Sequence, residues 1–261
     1  MIRTAIVLVA CAVAVPAAAQ PARPPQLRGI GLDQHLGDRV PLDLSFTEAA
    51  GRRVHLGDYF DGKRPVLLVL AYVRCKMLCS LVLHETTDAV RGMPLALDRD
   101  YRVVTVSIDP HEEAASANMR RTDLLREAGH PGETARWPFL VGAEHPIHAL
   151  ADALGFRYRW DPASEQFAHP AVMFVLTPDG RISRYLEGIE VEPATVASAL
   201  RDAAKGTIGE PISDSVLSCF HFDPAERAHR EQIDRFLMIG GSALILVLGS
   251  AVLGLYLWER R

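Results

Sequence analysis

The stretch VLLVLAYVRCKMLCSLVLHE, residues 66–85, runs from an unbroken apolar segment into two cysteines, Cys75 and Cys79. An apolar run without polar alternation is the pattern of a strand covered on both faces. Residues 80–92 then carry helical periodicity, so the two thiols fall where a buried strand (66–73) hands over to a helix. Three roles are open to thiols in that position: a redox couple, a metal site or a structural staple. A disulfide across so short a loop constrains the unfolded chain little, so the staple is the weakest of the three.

Outward from this junction, YRVVTVSID (101–109) reads as a second buried strand, and HEEAASANMRRTDLLREAG (111–129) as a charged surface helix stopped at Gly129. WPFLVG (137–142) is a short extended piece, and EHPIHALADALGF a short helix ending near Gly155. In AVMFVLTPDGRISRYLEG (171–188) an apolar run, a Pro178-Asp179-Gly180 turn and an alternating run predict a hairpin. EPATVASALRDAAKG (192–206) supplies the last helix of the globular part, and the segment before residue 66 reads as a hairpin and loops. The order strand, cysteine-bearing helix, strand, helix, hairpin, helix predicts an α/β, thioredoxin-like domain. Such a plan puts the cysteines at a helix N-terminus, where the dipole and free backbone amides favour the thiolate.

Both chain ends predict export and anchoring. MIRTAIVLVACAVAVPAAAQ has one early charge, an apolar stretch and small residues, the layout of a signal peptide cleaved after Ala17-Ala18-Ala19. LVAC, ending at Cys11, also has the form of a lipidation site, which ranks second because the apolar stretch before it is short. Residues 236–258 are 23 uncharged, largely apolar residues, long enough to cross a ~30 Å hydrocarbon core as a helix. Tyr256 and Trp258 suit the membrane interface. Arg227, Arg230 and Arg235 on one side and Arg260 and Arg261 on the other leave orientation to the signal peptide, which sends the domain outside the cytoplasm. The chain thus divides into a signal peptide (1–19), a linker (20–39), the thioredoxin-like domain (40–208), a juxtamembrane extension (209–235), one transmembrane helix (236–258) and a cytoplasmic tail (259–261). The expected location is the bacterial inner membrane, with the domain in the periplasm. With 28 Lys and Arg against 32 Asp and Glu, the net charge of -4 offers no basic face and argues against nucleic acid as a partner.

Export changes what the cysteines can be. Of 4 cysteines, removal of the signal peptide leaves Cys75, Cys79 and Cys219, an odd number for an oxidising compartment, so at least one is unpaired or metal-bound. CKMLC is C-x-x-x-C, one residue longer than the usual redox C-x-x-C. On a helix, positions four apart share a face, so both sulfurs can serve one ion. Two soft thiolates favour Cu(I), and an imidazole would complete a site able to hold Cu(II) as well. Among 10 histidines, His169 in EQFAHPAVMFVL lies just before the hairpin, where a thioredoxin-like fold can turn it toward the cysteine helix. His84 is carried away from the sulfurs by its helix, and His145 and His148 suggest a surface helix with no cysteine nearby.

These features carry a resemblance. The pair Cys75 and Cys79 after a buried strand, VSIDPHEEA (106–114) and FAHPAVMFVLTPDGRI (167–182), in that order across about residues 40–205, resemble the Sco/SenC family. Its members are membrane-anchored, thioredoxin-like copper proteins that help assemble cytochrome c oxidase. The resemblance implies that Cys75, Cys79 and His169 are copper ligands and that Asp109 has a structural or supporting role. It also implies an oxidase subunit as copper recipient and admits a donor protein upstream. The chain departs from the family pattern in having Lys76 and Ser80 where prolines flank the cysteines, Ala168 where an acid often precedes the histidine, and a C-terminal rather than N-terminal anchor. These differences bear on affinity and redox tuning.

Two further features stand beside that reading. In SCFHFDP (218–224), Cys219 and His221 lie on one side of an extended segment and form a second pair of soft ligands, although packing near the membrane explains them slightly better. Met77 could add a thioether, though a gap-filling role is commoner for such a residue. The expected activity is copper binding and delivery by ligand exchange rather than turnover. The rival is a thiol-disulfide reductase that keeps a partner's cysteines reduced; it needs Cys75 and Cys79 but not His169. A peroxidase and a zinc site rank lower.

Overall fold

The computed structural model describes residues 29–73, 78–162, 164–188 and 191–212, without the side chains of 78–80. In chain order its elements are β1 (Gly31–Leu32), β2 (Ser45–Glu48), β3 (Arg53–His55), β4 (Val66–Ala71), α1 (Leu78–Gly92), β5 (Arg102–Ser107), α2 (Ala114–Glu127), β6 (Phe139–Val141), α3 (Glu144–Ala153), β7 (Phe156–Arg157), β8 (Arg159–Asp161), β9 (Gln166–Ala168), β10 (Val172–Leu176), β11 (Ile182–Glu187) and α4 (Pro193–Ala204). The proposed signal peptide, lipidation site and membrane helix all lie outside the described residues. Among the described residues, no helix is long and apolar enough to cross a membrane.

All six residues of β4 are buried, as their unbroken apolar character requires of a central strand. β4 runs parallel to β5, from Val66 opposite Arg102 to Ala71 opposite Ser107, and antiparallel to β10 on its other side. The sheet continues in the order β11-β10-β4-β5-β6-β2-β3. Helix α1 packs on β4 and touches both α2 and α4, while α2 covers β6 and α4 covers β10 and β11, so these three helices share one face. On the other face Phe174 meets Phe156 of β7 at 6.0 Å and Tyr185 at 5.6 Å, and the Tyr185 hydroxyl donates to the carbonyl of Leu154 behind α3.

Several element ends differ from the sequence expectation for physical reasons. The described part of helix α1 runs from Leu78 to Gly92 and includes Cys79. Helix α2 begins at Ala114, not near His111. The Asp109 carboxylate accepts from His111 N at 2.9 Å, and Glu112 N donates to the Asp109 carbonyl at 3.0 Å. This side-chain turn competes successfully with the helix for those residues. β1, inside the stretch read as a linker, pairs with β7, and Leu32 and Val40 are buried, so packing extends N-terminal of residue 40. Gly155, at φ +63°, allows that approach: a Cβ there would stand 1.7 Å from the Asp33 carbonyl oxygen. The β8–β9 ribbon is an addition to the expected plan, its strands only three residues each.

The turn between β10 and β11 carries a pH-dependent contribution to stability. The Asp179 carboxylate is held down to about 2, first by the Thr177 hydroxyl and then by Arg39 at 2.7 Å and Arg181 at 3.1 Å. Its folded pKa lies below the ordinary value, so the stabilisation is complete above about pH 4 and is lost as pH falls through about 2. Because the side chain is 42 % exposed, screening keeps the effect below about 1 kcal/mol. Asp179→Asn should therefore be less stable at neutral pH and approach the wild type as acidity rises, as read by urea unfolding at a series of pH values. A constant difference at every pH would contradict this account.

Candidate metal centre

The antiparallel pairing of β10 with β4 sets the geometry. Val69 opposes Met173, so the segment entering β10 and the segment leaving β4 emerge at the same end of the sheet. His169 and Pro170 form the first of these, Tyr72 and Val73 the second, and Val73 stands two residues before Cys75. The His169 ring packs edge-on to Tyr72 at 6.3 Å and tilted against Phe156 at 5.9 Å, and only 4 % of the residue is exposed. Tyr72 also meets Phe167 at 5.5 Å, and its hydroxyl accepts from Phe167 N at 3.2 Å. The β8–β9 ribbon is thereby sewn to the strand end that leads toward Cys75.

The imidazole has a defined tautomer when neutral. Its Nδ1 lies 2.8 Å from the Pro170 carbonyl oxygen, and a carbonyl can only accept, so the proton sits on Nδ1. Nε2 then carries the lone pair, the arrangement found when a metal-binding histidine is oriented by a backbone carbonyl.

Of the two candidate thiols, Cys79 is described by its backbone alone, within α1. Its side chain, all of Cys75, and Lys76 and Met77 lie outside the described residues, as do Cys219 and His221. Among the described residues, no group of three or more His, Cys, Asp and Glu is arranged to hold a metal ion. Two thiols and one imidazole remain a donor set that fits a soft monovalent or borderline divalent ion. The histidine ring is held by the Pro170 carbonyl and packed on Tyr72 and Phe156.

Asp109 is buried and shapes the turn after β5, in keeping with a supporting role. Glu112, which the sequence reading did not single out, is also buried: its Oε2 accepts from Val73 N at 2.7 Å and from the Ser107 hydroxyl at 3.0 Å. The only hint in the sequence is three acids, Asp109, Glu112 and Glu113, just after a strand end, with nothing to say which one turns inward. His84 instead bonds Glu127 of α2 at 2.9 Å, and His148 stacks on Tyr158 at 5.2 Å. Burial pushes the Tyr158 hydroxyl up to about 12, so it stays protonated at any physiological pH.

A family model described as SCO1/SenC matches residues 34–205, a span that contains Cys75, Cys79 and His169. No curated protein matches the chain. A solved structure of a proposed electron transfer protein from Aquifex aeolicus VF5 is 24% identical, with a TM-score of 0.57 over 66% of this chain and 95% of that one. BsSco, described as a member of the Sco family of cytochrome c oxidase assembly proteins with a disulfide switch, is 19% identical with a TM-score of 0.52 over 67% and 98% of the two chains. Arabidopsis thaliana ScoI with copper bound is 14% identical, with a TM-score of 0.51 over 66% and 99%. At these identities the solved structures share the fold.

Proposed function

The chain belongs to the SCO1/SenC family, and on that premise we propose that it binds copper through Cys75, Cys79 and His169 and delivers it to a respiratory oxidase during assembly. The observation that carries the reading is the placement of a buried, Nδ1-anchored histidine at the sheet end from which the chain leads toward Cys75. Further support comes from the family members themselves, since Arabidopsis thaliana ScoI was solved with copper bound and BsSco is described with oxidase assembly.

In this reading the signal peptide (1–19) exports the chain, residues 236–258 anchor it in the bacterial inner membrane, and the domain of residues 40–208 works in the periplasm. Copper is cargo. The α1 N-terminus favours the thiolate form of Cys79, the Pro170 carbonyl holds the His169 ring with Nε2 as donor, and Tyr72 and Phe156 keep water from its flanks. A three-donor set leaves room for a recipient's ligand to bind before one of these departs, which a closed four-ligand site would not.

The competing role as a thiol-disulfide reductase uses the same sulfurs, and the disulfide switch described for BsSco makes it the reading to test against. The experiment is copper stoichiometry on the reduced, detergent-solubilised chain, beside reduction of a disulfide substrate. About one copper per chain with a thiolate-to-Cu(II) charge-transfer band supports delivery. No retained copper together with efficient disulfide reduction replaces it with the reductase.

A further inference from the structure

The last rung of the β4–β5 ladder joins Ala71 to Ser107, with Ile108 N donating to the Ala71 carbonyl at 3.0 Å. Beyond it β4 runs out of strand partner, yet its chain continues through Tyr72 and Val73 toward the cysteine loop. A backbone N–H that leaves the sheet and is partly screened from water needs another acceptor. At Val73 that acceptor is Oε2 of Glu112, at 2.7 Å, and the same oxygen receives the Ser107 hydroxyl at 3.0 Å. Glu112 is 7 % exposed, and the wall around it is largely apolar, with Ala71, Leu83, Ala117 and Phe139 close by. Asp109 aims the residue: its carboxylate caps His111 N, and its carbonyl takes Glu112 N. The turn after β5 is therefore built to send one carboxylate back to the exit of β4.

We propose that Glu112 is a positioning residue of the dithiol site, its buried carboxylate tying the entry of the cysteine loop to the end of β5 and thereby setting the dithiol–disulfide equilibrium of Cys75 and Cys79. The inference rests on the reading of these two cysteines as one functional pair. Its physical basis is that a disulfide has narrow geometric tolerance, so the segment leading into one cysteine influences how easily the bond closes. A carboxylate bonded to a backbone amide is also among the stronger anchors a loop can have.

The test equilibrates the metal-free, full-length chain with glutathione at graded ratios and reads Cys75 and Cys79 by differential alkylation and peptide mapping. Glu112→Ala should shift the equilibrium constant at least tenfold, about 30 mV for a two-electron couple. Glu112→Gln keeps an acceptor oxygen in place and should recover most of the wild-type value, while Glu113→Gln, at the exposed neighbouring acid, should change nothing. A folded Glu112→Ala protein with the wild-type constant overturns the proposal, as does a wild-type pair that forms no disulfide at any ratio. If the alanine variant does not fold, Glu112→Asp decides: it keeps the charge but shortens the reach, so a shifted constant supports positioning and an unchanged one refutes it. The assay contains no copper, so its outcome is separate from that of the delivery reading.

Discussion

Truncating Phe174 to alanine is expected to destabilise the domain by about 3–5 kcal/mol, a large part of the roughly 5–15 kcal/mol that holds a typical domain folded. Phe174 is fully buried in β10, opposite Leu68 of β4 and Tyr185 of β11. Its ring is wedged between Phe156 and Tyr185, so the lost side chain leaves a cavity that neighbours anchored in other elements fill poorly. The thermal midpoint should fall by ~10 °C. The effect should also reach the candidate site, because Phe156 supports the His169 ring from the other side. Phe174→Leu, which refills most of the volume, should restore most of both. A Phe174→Ala protein within about 1 kcal/mol of the wild type would show that this aromatic stack is not the core contact assigned to it.

The second large effect is expected at His169. Replacing it with alanine should weaken copper binding by about 100-fold or more, because even the hydrogen-bond partners of metal ligands are commonly worth 10–100-fold. The ability of Cys75 and Cys79 to form and break a disulfide should persist, since it needs no imidazole. The substitution also empties a space between Tyr72 and Phe156 and leaves the Pro170 carbonyl without its donor, so the metal-free thermal midpoint should be measured beside the affinity. A modest loss of stability, ~1–3 kcal/mol, is expected. Unchanged copper affinity in the alanine variant would remove His169 from the site.

The parts of this fold written into local sequence were those with a local cause. β4 announced itself through unbroken apolar residues, the β10–β11 turn through Pro178-Asp179-Gly180, and the end of α3 through Gly155, whose positive φ meets the Asp33 backbone. What escaped was set by distant partners. β1 exists because β7 is there to pair with it, and β8 and β9 are three residues each, partly exposed, with no alternation long enough to read. The sequence places His169 just before the hairpin, and the fold buries it at the strand end that leads toward Cys75. Tyr72 passed for one more residue of an apolar strand, although its hydroxyl and ring link the β9 segment and the histidine to the loop entry. Glu112 was hidden for another reason: whether an acid near a strand end faces water or a backbone amide depends on the turn that Asp109 folds.

In the proposed site one copper ion is held by two sulfurs and one imidazole nitrogen of this chain. X-ray absorption at the copper edge on the reduced, copper-loaded full-length protein tests it most directly, beside His169→Ala and Cys219→Ser. The account predicts about two sulfur neighbours and one nitrogen in the wild type, loss of the nitrogen alone in His169→Ala, and no change in Cys219→Ser. A coordination shell that His169→Ala leaves intact, or one that collapses in Cys219→Ser, would contradict it.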